Sequence, residues 1–184
     1  MSIGEKIARM NGVARDQWGL LTAAQMLRRG ISRKTVTALS KDSVIVPLRR
    51  GVYMHTAHDW SPLTEIRAAW LSLDVRKFSW ERIGSDVDAV VSGVSACRVH
   101  GLGDLFQGEH SFFTAESRNV RGTGIRTRPR DLGLIDFQIV EGLPVTSVEQ
   151  TIADLYRGGF GADLEHLAQI VQDAGPMVDA LKLR

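Results

Sequence analysis

Arg33, Lys34, Thr37 and Lys41 fall on one side of a helix drawn from Arg33, with the small Ala38 between them. These residue types share one chemistry. An arginine fork hydrogen-bonds guanine O6 and N7, lysines neutralise phosphates, and a threonine hydroxyl bonds to either. Arg49-Arg50, beside Gly51, add two cations suited to a phosphate or an adjacent minor groove. A short basic helix alone fits a solvated face equally well, so the elements that would hold these side chains decide their meaning.

Other constellations point to less. Cys97 and His100 lie one helical turn apart, but two ligands do not make a zinc site, and a core cysteine and histidine is the expected reading. Gly84-Ser85-Asp86-Val87-Asp88 has the residue types of a nucleotidyl-transfer centre, yet the glycine–serine turn and the aspartates are fused, with no room for the elements between them. Gly93-Val94-Ser95 lacks the second glycine of a nucleophile elbow. Gly101, Gly103 and Gly108 match no phosphate-binding loop. No catalytic residue, metal or cofactor is expected. Arg126, Arg128 and Arg130 alternate along a strand, preceded by Arg118 and Arg121. They form a candidate anion-binding patch, or a solvated face helped by Glu116 and Asp131.

The elements before and around Arg33 follow from caps and periodicity. Ile3, Ile7, Met10, Ala14 and Trp18 space a first amphipathic helix, with Asn11-Gly12 as its weak point. Thr22 caps a helix over Ala23–Arg29 that stops at Gly30. Ser32 caps the next, Arg33–Ser40, with Val36 and Leu39 inward. Two short helices joined through a glycine turn are a helix-turn-helix. Val44–Leu48, the Arg49-Arg50-Gly51 turn and Val52–Met54 add a hairpin, completing a winged helix. The glycine expected in the Lys41-Asp42-Ser43 loop is missing. Thr22, Ser32, Arg33, Lys34, Thr37, Lys41, Arg49 and Arg50 are the expected DNA-contacting set, while a winged helix that only docks a protein is the alternative.

The polar, aperiodic stretch 55–60 places the domain boundary, giving a winged helix over 1–57 and a mixed α+β domain over 61–184. That second domain should hold a helix from Ser61-Pro62 to Asp74, a short strand at Ala89–Val91 and a helix from Ser92 to Gly101. Strands at 111–115, 124–130 and 135–140 and helices at 147–157 and 162–173 complete it. The net charge of +2 hides an asymmetry: residues 1–60 carry ten Lys and Arg against four Asp and Glu, and residues 61–184 thirteen against seventeen. A basic module on an acidic body suggests an anionic partner for the first part. No apolar run is long enough to span a bilayer, no signal segment opens the chain, and the lone Cys97 excludes an intrachain disulfide, so a cytoplasmic protein without membrane contact is expected.

The order Gly19-Leu-Leu-Thr-Ala-Ala-Gln25, Gly30-Ile-Ser-Arg33 and Leu48-Arg-Arg-Gly-Val-Tyr53 resembles the N-terminal domain of the AbiEi antitoxins of bacterial type IV toxin–antitoxin systems. The resemblance continues through Val91-Ser-Gly-Val-Ser-Ala96, His100-Gly-Leu102, Ile125–Arg130, Gly142-Leu-Pro-Val-Thr-Ser147 and Gln150-Thr-Ile-Ala-Asp-Leu155, covering most of residues 19–157. It implies a non-enzymatic autorepressor that binds operator inverted repeats in its own promoter, as a dimer on DNA, and counters a nucleotidyltransferase-like toxin. By position, the reading-helix role falls on Ser32, Arg33, Lys34 and Thr37, and the wing role on Arg49 and Arg50. The antitoxin role goes to the second domain without assigned residues.

Overall fold

The computed structural model of the chain describes residues 3–84, 87–103, 108–118, 120, 124–158 and 164–175, in two compact units, Met1–Arg82 and Ile83–Arg184. The fold is α+β, with a winged helix-turn-helix in the first unit.

In that unit α1 (Ile3–Asp16) buries Met10, Val13 and Ala14 and runs unbroken through Asn11-Gly12. Packing overrides the poor local propensity there. The helix ends before Trp18, which takes a left-handed backbone at φ 57° instead of joining the apolar stripe. β1 (Leu20–Thr22) comes next, a strand too short for a period to reveal it, with all three residues buried. α2 (Ala23–Arg28) opens on a capping box: the Thr22 hydroxyl accepts the Gln25 N–H at 3.0 Å and the Gln25 side chain accepts the Thr22 N–H at 3.0 Å. Gly30, at φ 78°, closes it, and the Ile31 N–H turns back to the Met26 carbonyl at 2.9 Å.

α3 (Arg33–Lys41), β2 (Ile45–Arg49) and β3 (Val52–His55) complete the winged helix. The sheet order is β1-β3-β2, antiparallel throughout, with Leu21 opposite Tyr53 and a bulge between Pro47 and Arg49. Pro47 is tolerated because β2 is an edge strand. The missing loop glycine is replaced by Ser43, which itself adopts φ 56°. A left-handed backbone strains an L residue by roughly 1–2 kcal/mol, partly offset by the entropy a glycine would lose. Ser43→Gly should therefore raise stability by up to about 1 kcal/mol in urea unfolding, whereas Ser43→Val should lower it.

The sequence boundary at 57–61 needs correction, because the first unit continues to Arg82. Ser61-Pro62 forms a turn, and α4 (Thr64–Leu73) starts after it with Ile66, Ala69 and Trp70 fully buried. Trp70 meets Trp18 edge-on at 6.3 Å between ring centres, and the Arg67 guanidinium lies 5.1 Å from the Trp18 ring centre. Two buried glutamines then tie the segment after α4 to the winged helix. Gln25 Nε2 donates to the Lys77 carbonyl at 2.7 Å, and Gln17 Oε1 accepts the Ser79 N–H at 2.8 Å. The polar stretch 55–60 is a loop within the unit, not a linker.

The second unit contains β4 (Ala89–Val91), α5 (Gly93–His100), β5 (His110–Thr114), β6 (Ile125–Pro129), β7 (Phe137–Val140), β8 (Leu143–Thr146), α6 (Val148–Tyr156) and α7 (Leu164–Ala174). Its five-stranded sheet has the order β6-β5-β4-β8-β7; β4 is antiparallel to β5 and parallel to β8, and β5 and β6 are parallel. Val90 and Phe113 face a core with Val94 and Cys97 of α5, Ile152 of α6 and Ile170 of α7. The β7–β8 hairpin turns at Glu141-Gly142, both with positive φ, as a two-residue primed turn requires. β8 escapes sequence reading because every residue in it is buried, which removes the alternation that marks a strand. The expected start of the last helix at Ala162 lies outside the described residues. No helix among the described residues is long and apolar enough to cross a membrane.

Candidate nucleic-acid interface

α3 is held by one face and offers the other. Ser32 caps it by accepting the Thr35 N–H at 3.2 Å, while Val36, Leu39 and the preceding Ile31 are buried. This fixes the rotation of the helix and leaves Ser32, Arg33, Lys34, Thr37, Ala38 and Lys41 exposed. Thr37 Oγ1 donates to the Arg33 carbonyl at 3.0 Å, so its hydroxyl proton is used within the helix and its lone pairs remain available. A helix of this diameter, about 10–12 Å, fits a B-form major groove about 12 Å wide.

The wing is short. β3 pairs with β1 as far as Val52 opposite Thr22, and the Ala23 N–H donates to the Gly51 carbonyl at 3.0 Å. The hairpin tip therefore lies at the start of α2. The two wing arginines part there: Arg50 is exposed, whereas the Arg49 side chain is only 17% exposed and meets Glu65 of α4 at 3.6 Å. Arg49 is a fastening between wing and α4, which corrects its assignment as a tip cation. Thr22 also leaves the DNA-contacting set. It is fully buried, its hydroxyl capping α2 and donating to the Val75 carbonyl.

Arg33 and Arg50 border one groove of about 420 Å³ with Ala23, Ala24 and Leu27 of α2. The sequence separates these arginines by a helix and a strand, and the fold brings them to one opening. Neither makes an ion pair among the described residues.

Sequence reasoning missed the residues that steady α2. Arg28 donates to both carboxylate oxygens of Glu81, at 2.7 and 2.8 Å, and to the Arg76 carbonyl at 2.6 Å. Its guanidinium lies 4.6 Å from the Phe78 ring centre. The capping spacing of Thr22 and Gln25 is readable, but nothing local announces a partner some fifty positions away for Arg28. The hydrogen bond from Arg28, helped by the Phe78 N–H, draws the Glu81 carboxyl from its ordinary 4.5 down to about 2. A carboxyl lowered on folding contributes stability that is full above pH 4.5 and is lost as pH falls toward about 2. Both partners are substantially solvent-exposed, so the contribution is below about 1 kcal/mol. Between pH 5 and pH 2 the wild type should lose that increment relative to Glu81→Gln in urea unfolding, and parallel pH profiles would refute it.

In the second unit Arg126, Arg128 and Arg130 of the β6 segment lie near enough for the outer two charges to act on Arg128. Arg118 pairs with Asp88 at 3.1 Å and Arg126 with Glu109 at 3.0 Å. The Arg130 guanidinium lies 5.7 Å from the Phe113 ring centre. Arg128 is half-buried; burial first, then Arg126 and Arg130, lower its pKa. Arg121 lies outside the described residues, as do Ser85 and Asp86. Cys97 is buried, which pushes its thiol up to about 12, and His100 Nε2 donates to the Thr146 carbonyl at 2.8 Å. Both side chains serve the core of this unit.

Residues 9–54 match the family model described as transcriptional regulator, AbiEi antitoxin. Over this span the chain is similar to the AbiEi antitoxin regulators. The matched span runs from α1 to β3 and so holds α2, α3 and the wing. The matched span thus includes the exposed basic face, and the chain after Met54, including α4, lies beyond the match. The RV2827C protein from Mycobacterium tuberculosis has a similar crystal structure, with a TM-score of 0.61 at 16% identity over 100% of this chain and 71% of that one. At that identity the likeness is one of fold. No curated protein matches the chain.

Proposed function

We propose that the chain is a sequence-specific DNA-binding repressor of its own promoter, acting as the antitoxin of a type IV toxin–antitoxin system. The observation that carries this reading is the exposed face of α3 beside Arg50, within the span similar to the AbiEi antitoxin regulators. Ser32, Arg33, Lys34 and Thr37 enter the major groove, Arg33 reading guanine. Lys41 and Arg50 meet phosphates, which fix register without reading sequence. An inverted repeat offers two half-sites and takes two copies of the chain. Charge supports the division of labour: residues 1–82 hold fourteen Lys and Arg against seven Asp and Glu, and residues 83–184 nine against fourteen. The partner countered is a nucleotidyltransferase-like toxin in the cytoplasm, and that part rests on the family likeness. The role is regulatory and non-enzymatic.

Fluorescence anisotropy with DNA from upstream of its own reading frame and with shuffled DNA, at 50–200 mM salt, tests the reading. Binding should fall steeply with salt, as counterions are released at each neutralised phosphate, and should favour the upstream fragment. Equal, weak binding to both DNAs would overturn repression.

A further inference from the structure

A second groove of the first unit shares no lining residue with the groove beside Arg33 and Arg50. It measures about 510 Å³ and is lined by Arg9, Gly12 and Asp16 of α1, Arg29 at the end of α2, and Trp80. That volume is within the range of small-ligand pockets, roughly 300–1,000 Å³. Trp80 is 41% exposed, and its ring stacks on Phe78 with centres 4.6 Å apart and planes 3° from parallel. Phe78 is itself buried and carries the Arg28 and Arg29 guanidiniums at 4.6 and 4.8 Å from its ring centre. The indole is thus fixed on a rigid base while much of its surface stays open. Arg9 is anchored by one nitrogen to the Arg29 carbonyl at 3.4 Å, and neither arginine makes an ion pair among the described residues. Asp16, which pairs with Arg15 at 3.1 Å, adds an acceptor at the rim.

A supported indole beside these two guanidiniums suits a flat ring joined to an anion. We propose that this groove binds a nucleotide unit, the base stacking on Trp80 and the phosphate held by Arg9 and Arg29. Asp16 accepts from a sugar or base N–H or O–H. The same chemistry is offered by a free mononucleotide and by a nucleotide within a single strand, and the two are separable by experiment. Arg29 stands three positions before Ser32, so a bound unit would lie at the turn between α2 and α3.

Titration calorimetry on the full chain with AMP, with a thymidine decanucleotide and with inorganic phosphate tests the proposal. AMP or the decanucleotide should bind more tightly than phosphate. AMP binding identifies a free mononucleotide, and binding of the decanucleotide alone identifies a strand. Trp80→Ala should weaken binding by about tenfold or more, as the loss of a stacking platform does. Because Trp80→Ala also unstacks Phe78, Gly12→Glu is the second variant. Gly12 lines the groove and a Cβ there meets nothing within 4 Å, so the substitution brings a carboxylate to the groove wall without a backbone clash. Loss of binding in a normally melting Gly12→Glu variant supports the site. Unchanged binding in that variant, or no binding of either nucleotide probe to the wild type, overturns it.

Discussion

Gln25→Ala should destabilise the first unit by about 3 kcal/mol or more, the largest stability effect expected of any single polar substitution in it. Gln25 is fully buried. Its oxygen accepts the Thr22 N–H at 3.0 Å and Gln17 Nε2 at 2.9 Å, and its nitrogen donates to the Lys77 carbonyl at 2.7 Å and to Gln17 Oε1 at 3.1 Å. Truncation leaves several of these groups buried without partners, at about 1–3 kcal/mol each, and opens a cavity besides. Water entering the cavity can satisfy some of them, so the lower end of the sum is the expected value. Against a total stability of about 5–15 kcal/mol this loss is large. Urea unfolding measures it, with the exposed Gln138→Ala as a control expected within about 0.5 kcal/mol of wild type. A loss below about 1 kcal/mol would mean that the two glutamines do not hold α2 to the 77–79 segment.

Arg33→Ala should lower affinity for the upstream DNA by a factor of about 5 to 150, the equivalent of about 1–3 kcal/mol for one bidentate guanine contact. The loss should be base-selective, so that shuffled DNA binds nearly as before. Arg50→Ala should instead weaken binding to all sequences alike and reduce the salt slope by about one. Arg49→Ala should leave the salt slope almost unchanged, because its side chain faces Glu65 at 3.6 Å. Anisotropy titrations of the three variants on both DNAs separate these patterns. If Arg49→Ala and Arg50→Ala proved indistinguishable, the division between fastening and contact would be wrong.

How much of the fold and the site is legible in the sequence depends on whether the signal is local. Ser32, Gly30 and the stripe Ile31, Val36 and Leu39 are local signals, and α3 lies where they place it. The same holds for Gly51 at the hairpin turn, whose φ of 77° suits glycine. Whatever depends on a distant partner escapes. Thr22 and Arg49 have the right types for DNA, but Val75 and Glu65 engage them. β1 and β8 lack alternation because all their residues are buried. The boundary at 57–61 fails for the same reason, since the contacts of Trp18 with Trp70 and of Gln17 with Ser79 cross it. Ser43 shows the opposite case, a position where the backbone takes a glycine-like conformation although the sequence has no glycine.

In the proposed complex α3 lies in the major groove of bound DNA. A photo-crosslinking amino acid placed at the exposed Thr37, and in a second protein at the exposed Gln138 of the second unit, tests it most directly on the upstream fragment. An adduct is expected from position 37, mapping to a base in the operator and competed by unlabelled operator, with none from position 138. DNA that binds the protein carrying the probe at position 37 without forming that adduct would contradict it.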